Sequence, residues 1–126
     1  MIYSFFVPGK LENFSNQKNT HWAVESRYRN GWHDRTSAAW KVVRPHQSRM
    51  PLPEAPKVIH FRAQVFNRFD SDGFSNSLKP IRDQLVKEGV IHADDTRSGH
   101  LFEYGEQTIN RKNLGVFVTI TTAAGG

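Results

Sequence analysis

The stretch from residue 57 to residue 69 constrains this chain more than any other. Along it, Ile59, Phe61, Ala63, Val65 and Asn67 alternate with Val58, His60, Arg62, Gln64 and Phe66. The odd-numbered set is apolar almost throughout, and side chains two apart on a strand share a face. Residues 57–69 are therefore predicted to form a β-strand with one buried face. The whole chain, 126 residues with 37% hydrophobic content, is the size of one modest globular domain.

The rest of the chain reads around that strand. Residues 2–7 are a second predicted strand, stopped by Pro8-Gly9. Residues 10–35 are polar, with Trp22, Arg27, Tyr28, Arg29, Trp32 and Arg35 interleaved; 18–35 is expected to be a basic loop, mobile in part. Thr36 or Ser37 is placed to cap a short helix through Val43, which Pro45 ends. Pro45, Pro51, Pro53 and Pro56 make 45–56 an extended connector. Residues 70–76 read as a turn or loop. A helix over 77–88 follows, with Leu78, Ile81, Leu85 and Val86 on one stripe, Pro80 in its first turn and Gly89 at its end. Residues 90–100 read as a loop. Residues 100–105 and 114–122 read as strands, and 123–126 as a frayed tail. The expected fold is α/β: a single domain over 1–126, a mixed β-sheet packed with two main helices.

The chain has no cysteine, which excludes disulfides, thiolate zinc sites and cysteine nucleophiles. No segment approaches the length of a membrane span. The opening residues lack a basic n-region and a full h-region, so a cytoplasmic protein is expected. The net charge of +5 is uneven. Residues 1–69 hold 11 Lys/Arg and 4 Asp/Glu; residues 70–126 hold 6 and 8. A basic half suits a polyanion, because each phosphate contact releases counterions; it is equally the mark of a solvated surface.

The acidic half contains the chemistry. Asp70 and Asp72 stand two apart after the best strand, and in extended backbone their carboxylates project to one side. Like charges so placed repel unless one is protonated or a cation lies between them. Mg²⁺ takes one or two carboxylates together with water and phosphate oxygens. The helix after them returns the chain, so that Asp94-Asp95 is placed to supply a third carboxylate. Lys79 is placed to neutralise a carboxylate or meet the charge of a reacting phosphate. The set fits metal-assisted phosphodiester hydrolysis. Each part also has a plain structural reading: Asp-x-Asp and Asp-Asp are common in turns, and Lys79 with Asp83 is an i, i+4 helix pair. An EF-hand fails, because Phe74, Ser75 and Ile81 occupy positions that need a ligand, a glycine and a glutamate.

The stretch from Asp70 to Asp95 resembles the RusA family of Holliday junction resolvases. The shared order is Asp-x-Asp, then Lys79-Pro80, Asp83-x-Leu85, Gly89 and Asp94-Asp95. The opening strand ending in Val7-Pro8-Gly9 and the closing Gly115–Ile120 run agree with it. Gly73 departs from the pattern, standing where the family usually has asparagine. The resemblance implies a RusA-like fold and a Mg²⁺-dependent endodeoxyribonuclease of recombination and repair, with Mn²⁺ able to substitute. It implies a homodimer that cuts four-way junctions in a bacterial or phage-infected cell. By position, Asp70, Asp72 and Asp95 match the metal ligands and Lys79 the catalytic lysine, with Asp94 and Asp83 in support.

DNA contacts are expected from Lys18, Arg27, Arg29, Arg35, Arg68 and Arg97, and at a lower rank from Arg62, Arg111 and Lys112. Trp22 and Trp32 are either stacking platforms for unpaired bases or core residues. The six histidines show no metal spacing; His33-Asp34 lacks the rest of an HNH motif, and His92 lies near the Asp94-Asp95 pair. The rival functions are a nuclease acting on flaps or forks, a non-catalytic DNA-binding protein of the same fold, and a structural phage protein.

Overall fold

In a computed structural model the described residues are 2–13, 22–43, 51–95 and 97–122. Lys18, residues 44–50 and the tail 123–126 lie outside them. Four strands form one mixed sheet in the order β1–β4–β2–β3. β1 (Ile2–Pro8) pairs antiparallel with β4 (Gly115–Thr122), and β4 antiparallel with β2 (Lys57–Val65). β2 and β3 (Leu101–Ile109) run parallel, with an irregularity between Phe61 and Ala63. A parallel neighbour demands a crossover. Here that crossover carries α2 (Ser71–Ser77), α3 (Lys79–Lys87) and the loop with both distal aspartates.

The alternation in β2 does what its pattern predicts. Ile59, Phe61, Ala63 and Val65 are buried, joined by Tyr3, Phe5 and Val7 from β1 and Val116, Val118 and Ile120 from β4. β2 ends at Val65 rather than residue 69, and Phe66, Asn67 and Arg68 are exposed. Burial of Leu78, Ile81 and Leu85 seats the crossover helices on the same core. α2 and α3 replace the single helix predicted over 77–88. Pro80 has no N–H to donate and so belongs in a first turn, which places a new helix start just before it.

Two regions read as irregular are helical. The predicted basic loop over 18–35 is helix from Trp22 onward: α1 spans Trp22–Val43 and begins well before Thr36. Its apolar stripe is thin, because Trp32, Thr36 and Trp40 at i, i+4 and i+8 are its only fully buried members. Trp40 meets the rings of Tyr3 and Phe5 edge-on, at 5.6 and 5.9 Å between centroids. Two indoles bury enough apolar area to hold the helix despite its charged face. Residues 71–76, predicted as turn or loop, form α2, nucleated by the Asp70 cap described below. The fold is thus α/β, with a four-stranded mixed sheet, two main helices (α1 and α3) and one short helix. No helix among the described residues is long and apolar enough to cross a membrane.

Candidate active site

Asp70 ends the link from β2 and caps α2. Its backbone is extended (φ −69°, ψ 175°), and its Oδ1 accepts the Gly73 N–H at 2.6 Å. An N-cap of this type satisfies one of the free donors of a helix start. A Cβ at Gly73 would stand 2.8 Å from Asp70 Oδ1 and 3.0 Å from Asn13 Nδ2. Glycine at 73, where the resolvase pattern has asparagine, lets those two polar atoms crowd the turn. Asp72 lies exposed in the first turn of α2, and Asp70 is exposed beside it.

The segment before Asp70 is anchored by a residue with no motif signal. The Gln107 side chain, on β3, accepts the Phe69 N–H at 2.8 Å and donates to the Phe69 carbonyl at 3.0 Å. It thereby extends strand-like bonding past the end of β2.

Lys79 opens α3. Its Nζ lies 3.4 Å from Asp83 Oδ1 and 3.6 Å from Asp94 Oδ2. Arg82, one turn on, points its Nε at the same Asp94 oxygen at 3.8 Å. Its Nη1 donates to the Ser75 carbonyl at 2.8 Å and to the Tyr104 hydroxyl at 3.0 Å. One buried guanidinium thus ties α2, α3, β3 and the Asp94 loop together. The plain i, i+4 reading of Lys79 with Asp83 is present, and Asp94 is added to it.

The Asp94–Asp95 pair diverges. Asp94 turns toward Lys79. Asp95 is exposed and its Oδ1 accepts the Arg97 N–H at 2.9 Å, closing a local turn. Among the described residues no three His, Asp or Glu side chains come together in a way that would hold a metal ion. The structure therefore joins Lys79, Asp83 and Asp94, places Asp70 and Asp72 at the start of the preceding helix, and directs Asp95 elsewhere.

The basic candidates flank this region unevenly. Arg29 shares a cleft of about 340 Å³ with Lys79, Asp83 and Asn76. Tyr28 forms the wall of that cleft: its hydroxyl donates to the Ser77 carbonyl at 2.9 Å and accepts the Glu12 N–H at 3.0 Å. Burial pushes its pKa up to about 12, so it stays a neutral donor. Arg27 is exposed on α1, Arg35 is half-buried, and Arg68 and Arg97 are exposed next to Asp70 and Asp95. Trp22 is 72% exposed, whereas Trp32 is core. His92 and His100 bond to each other at 3.1 Å, and His100 Nδ1 accepts the Lys57 N–H. That pair fastens the start of β2.

Gln107, Arg82, Tyr104 and Asn13 escaped the sequence reading. Arg82 alone carried a signal, three residues after Lys79 and so on the same helix face. No family model matches the chain, and no curated protein matches it.

Proposed function

We propose that this chain is a RusA-like, Mg²⁺-dependent endodeoxyribonuclease that cuts four-way DNA junctions as a homodimer. The observation that carries the reading is the Lys79–Asp94 contact. Fifteen positions apart in sequence, the lysine and one member of the Asp-Asp pair meet at 3.6 Å, just after the helix that Asp70 caps and that has Asp72 in its first turn. The contact joins two of the positions that carry the resemblance, while Asp70 and Asp72 stand at the N-terminal end of the preceding helix.

The donor set fits Mg²⁺. This ion keeps several of its waters and needs only one or two carboxylates, so a three-acid cage is not required. Asp70 and Asp72, both exposed and neither in a salt bridge among the described residues, would hold it. When bound, the ion supplies an acidified water and neutralises phosphate charge; Mn²⁺ uses the same oxygen donors. Lys79 offers a cation to the phosphate, positioned by Asp83 and Asp94, while Arg82 holds Asp94 in place. Asp95 joins the set only if its turn to Arg97 opens. Arg29 and the other α1 cations supply attraction for the DNA backbone.

One observation favours a second reading, a non-catalytic DNA-binding protein of the same fold. Asp70 and Asp95 each have a local structural task, as a helix cap and as a turn former. Cleavage of a synthetic four-way junction, compared with flap, fork and linear duplex and with or without Mg²⁺, separates these readings. Junction cutting that needs Mg²⁺ supports the nuclease. Junction binding with no cutting in Mg²⁺ or Mn²⁺ leaves the binding protein.

A further inference from the structure

Among the described residues Arg35 is a cation with no salt-bridge partner. Its guanidinium lies 4.7 Å from the centre of the Trp32 ring. Two glycines give it room. A Cβ at Gly9, whose φ is +143°, would stand 2.8 Å from Nη2 and 2.9 Å from Nε; a Cβ at Gly31 would stand 2.9 Å from Nη1. The positive φ calls for glycine at position 9, and the missing Cβ leaves the guanidinium room beside it. Arg35 Nε is buried with no hydrogen-bond partner.

Nε itself is shut away, but Arg35 as a whole is half-buried and lines open space, where oxygen acceptors suit guanidinium donors. Arg35 lines an open cleft of about 500 Å³ together with Gly9, Lys10, Arg27, Tyr28 and Glu12. Three of the eight residues that line it, Lys10, Arg27 and Arg35, are cations. The one carboxylate, Glu12, is already 3.9 Å from Lys10. Glu12 and Tyr28 also border the cleft that contains Lys79, so the two clefts adjoin.

We infer that this second cleft is a phosphate-binding subsite, in which Arg35 takes a backbone phosphate of a DNA strand running on from the Lys79 cleft. The planar fork of arginine matches two phosphate oxygens at once, which lysine cannot do. Trp32 and the two glycines hold the fork in place, so little side-chain entropy is lost when the phosphate arrives. Lys10 and Arg27 add charge at the rim. The assignment of the ligand as a DNA strand rests on the DNA-directed reading above.

The test is fluorescence anisotropy of a labelled single-stranded oligonucleotide in EDTA, as a function of salt, for wild type, Arg35→Ala and Arg35→Lys. Arg35→Ala is expected to weaken binding about 10-fold and to lower the salt slope by about 0.7, the value of one single-strand contact. Arg35→Lys is expected to keep the slope and lose several-fold in affinity. An oligonucleotide with neutral methylphosphonate linkages is expected to bind wild type and Arg35→Ala equally weakly. Equal binding of the phosphodiester oligonucleotide by wild type and Arg35→Ala overturns the subsite. Binding of inorganic phosphate with no oligonucleotide binding overturns the strand as ligand. If both variants fail to fold, the assigned Arg35 Nε–H resonance of ¹⁵N-labelled wild type decides: a shift on adding oligonucleotide supports the subsite, and no shift overturns it. Because metal is absent, the result is independent of cleavage. A protein that cuts nothing but loses affinity with Arg35→Ala retains the subsite and loses the nuclease. A protein that cuts junctions and is indifferent to Arg35 does the reverse.

Discussion

The side-chain amide of Gln107 holds the backbone of Phe69 from both its polar atoms, accepting at 2.8 Å and donating at 3.0 Å. Phe69 directly precedes Asp70, so β3 sets the position of the first aspartate through one side chain. Gln107→Ala removes both bonds and leaves two backbone groups to find water. A loss of about 1–3 kcal/mol is expected, read as a lower midpoint in urea. Faster amide exchange confined to residues 66–70 would accompany it. Gln107→Glu keeps the acceptor but loses the donor, and is expected to fall between the two.

Asp70 has two separable roles. Asparagine caps a helix about as well as aspartate, so Asp70→Asn is expected to leave the melting temperature close to wild type. Asp70→Ala is expected to cost about 1 kcal/mol. Both are expected to abolish junction cleavage in Mg²⁺. Asp72→Asn, with no capping bond to lose, is expected to remove cutting and spare both stability and junction binding. Wild-type cleavage by Asp70→Asn would limit this aspartate to its cap.

Lys79 is 61% exposed, so its two ion pairs contribute little to stability. Lys79→Ala is expected to change the unfolding free energy by less than about 0.5 kcal/mol. Its effect on junction cleavage is expected to be about 100-fold in kcat, the scale of losing one positioned donor to a transition-state charge. A cleavage loss matched by an equal loss of affinity would make Lys79 a binding residue instead.

Burial, followed by the charges of Lys57 and His92, holds the His100 pKa below the ordinary 6.5. The folded protein therefore binds this proton less readily than the unfolded chain. The stability His100 contributes is full above about pH 6.5 and is lost as pH falls through the lowered value. Protonation also removes the acceptor that holds the Lys57 N–H at 3.2 Å. The melting temperature is expected to drop between pH 7 and pH 5. His33, lowered by burial and Lys87, contributes in the same direction. His100→Asn keeps a side-chain acceptor without a titrating ring, and is expected to flatten the His100 share of the slope.

Trp40 tests the fold itself. It is fully buried and joins α1 to Tyr3 and Phe5 of β1. Trp40→Ala is expected to cost about 3–5 kcal/mol, seen as a cooperative loss of midpoint in urea.

The sequence by itself determined what depends on neighbouring residues. The period-two alternation around Ile59 and Phe61 placed β2 and its buried face, because side-chain direction in a strand follows from backbone geometry. Pro80 and Gly89 marked a helix start and stop, through a missing N–H and a positive φ (+75° at Gly89). The order of Asp70, Asp72, Lys79 and Asp94-Asp95 was legible too, but as a resemblance to a family pattern. Tertiary structure decided the rest. α1 has a thin stripe of two indoles and a threonine, and it is a helix because β1 and α3 offer those residues a surface to bury against. Asp94 and Asp95 are identical in type and adjacent in the chain. Only the placement of Lys79 and Arg82 beside one, and of the Arg97 N–H beside the other, makes one face α3 and the other close a turn. Gln107 had no local mark at all, because its value lies in two backbone groups 38 positions away.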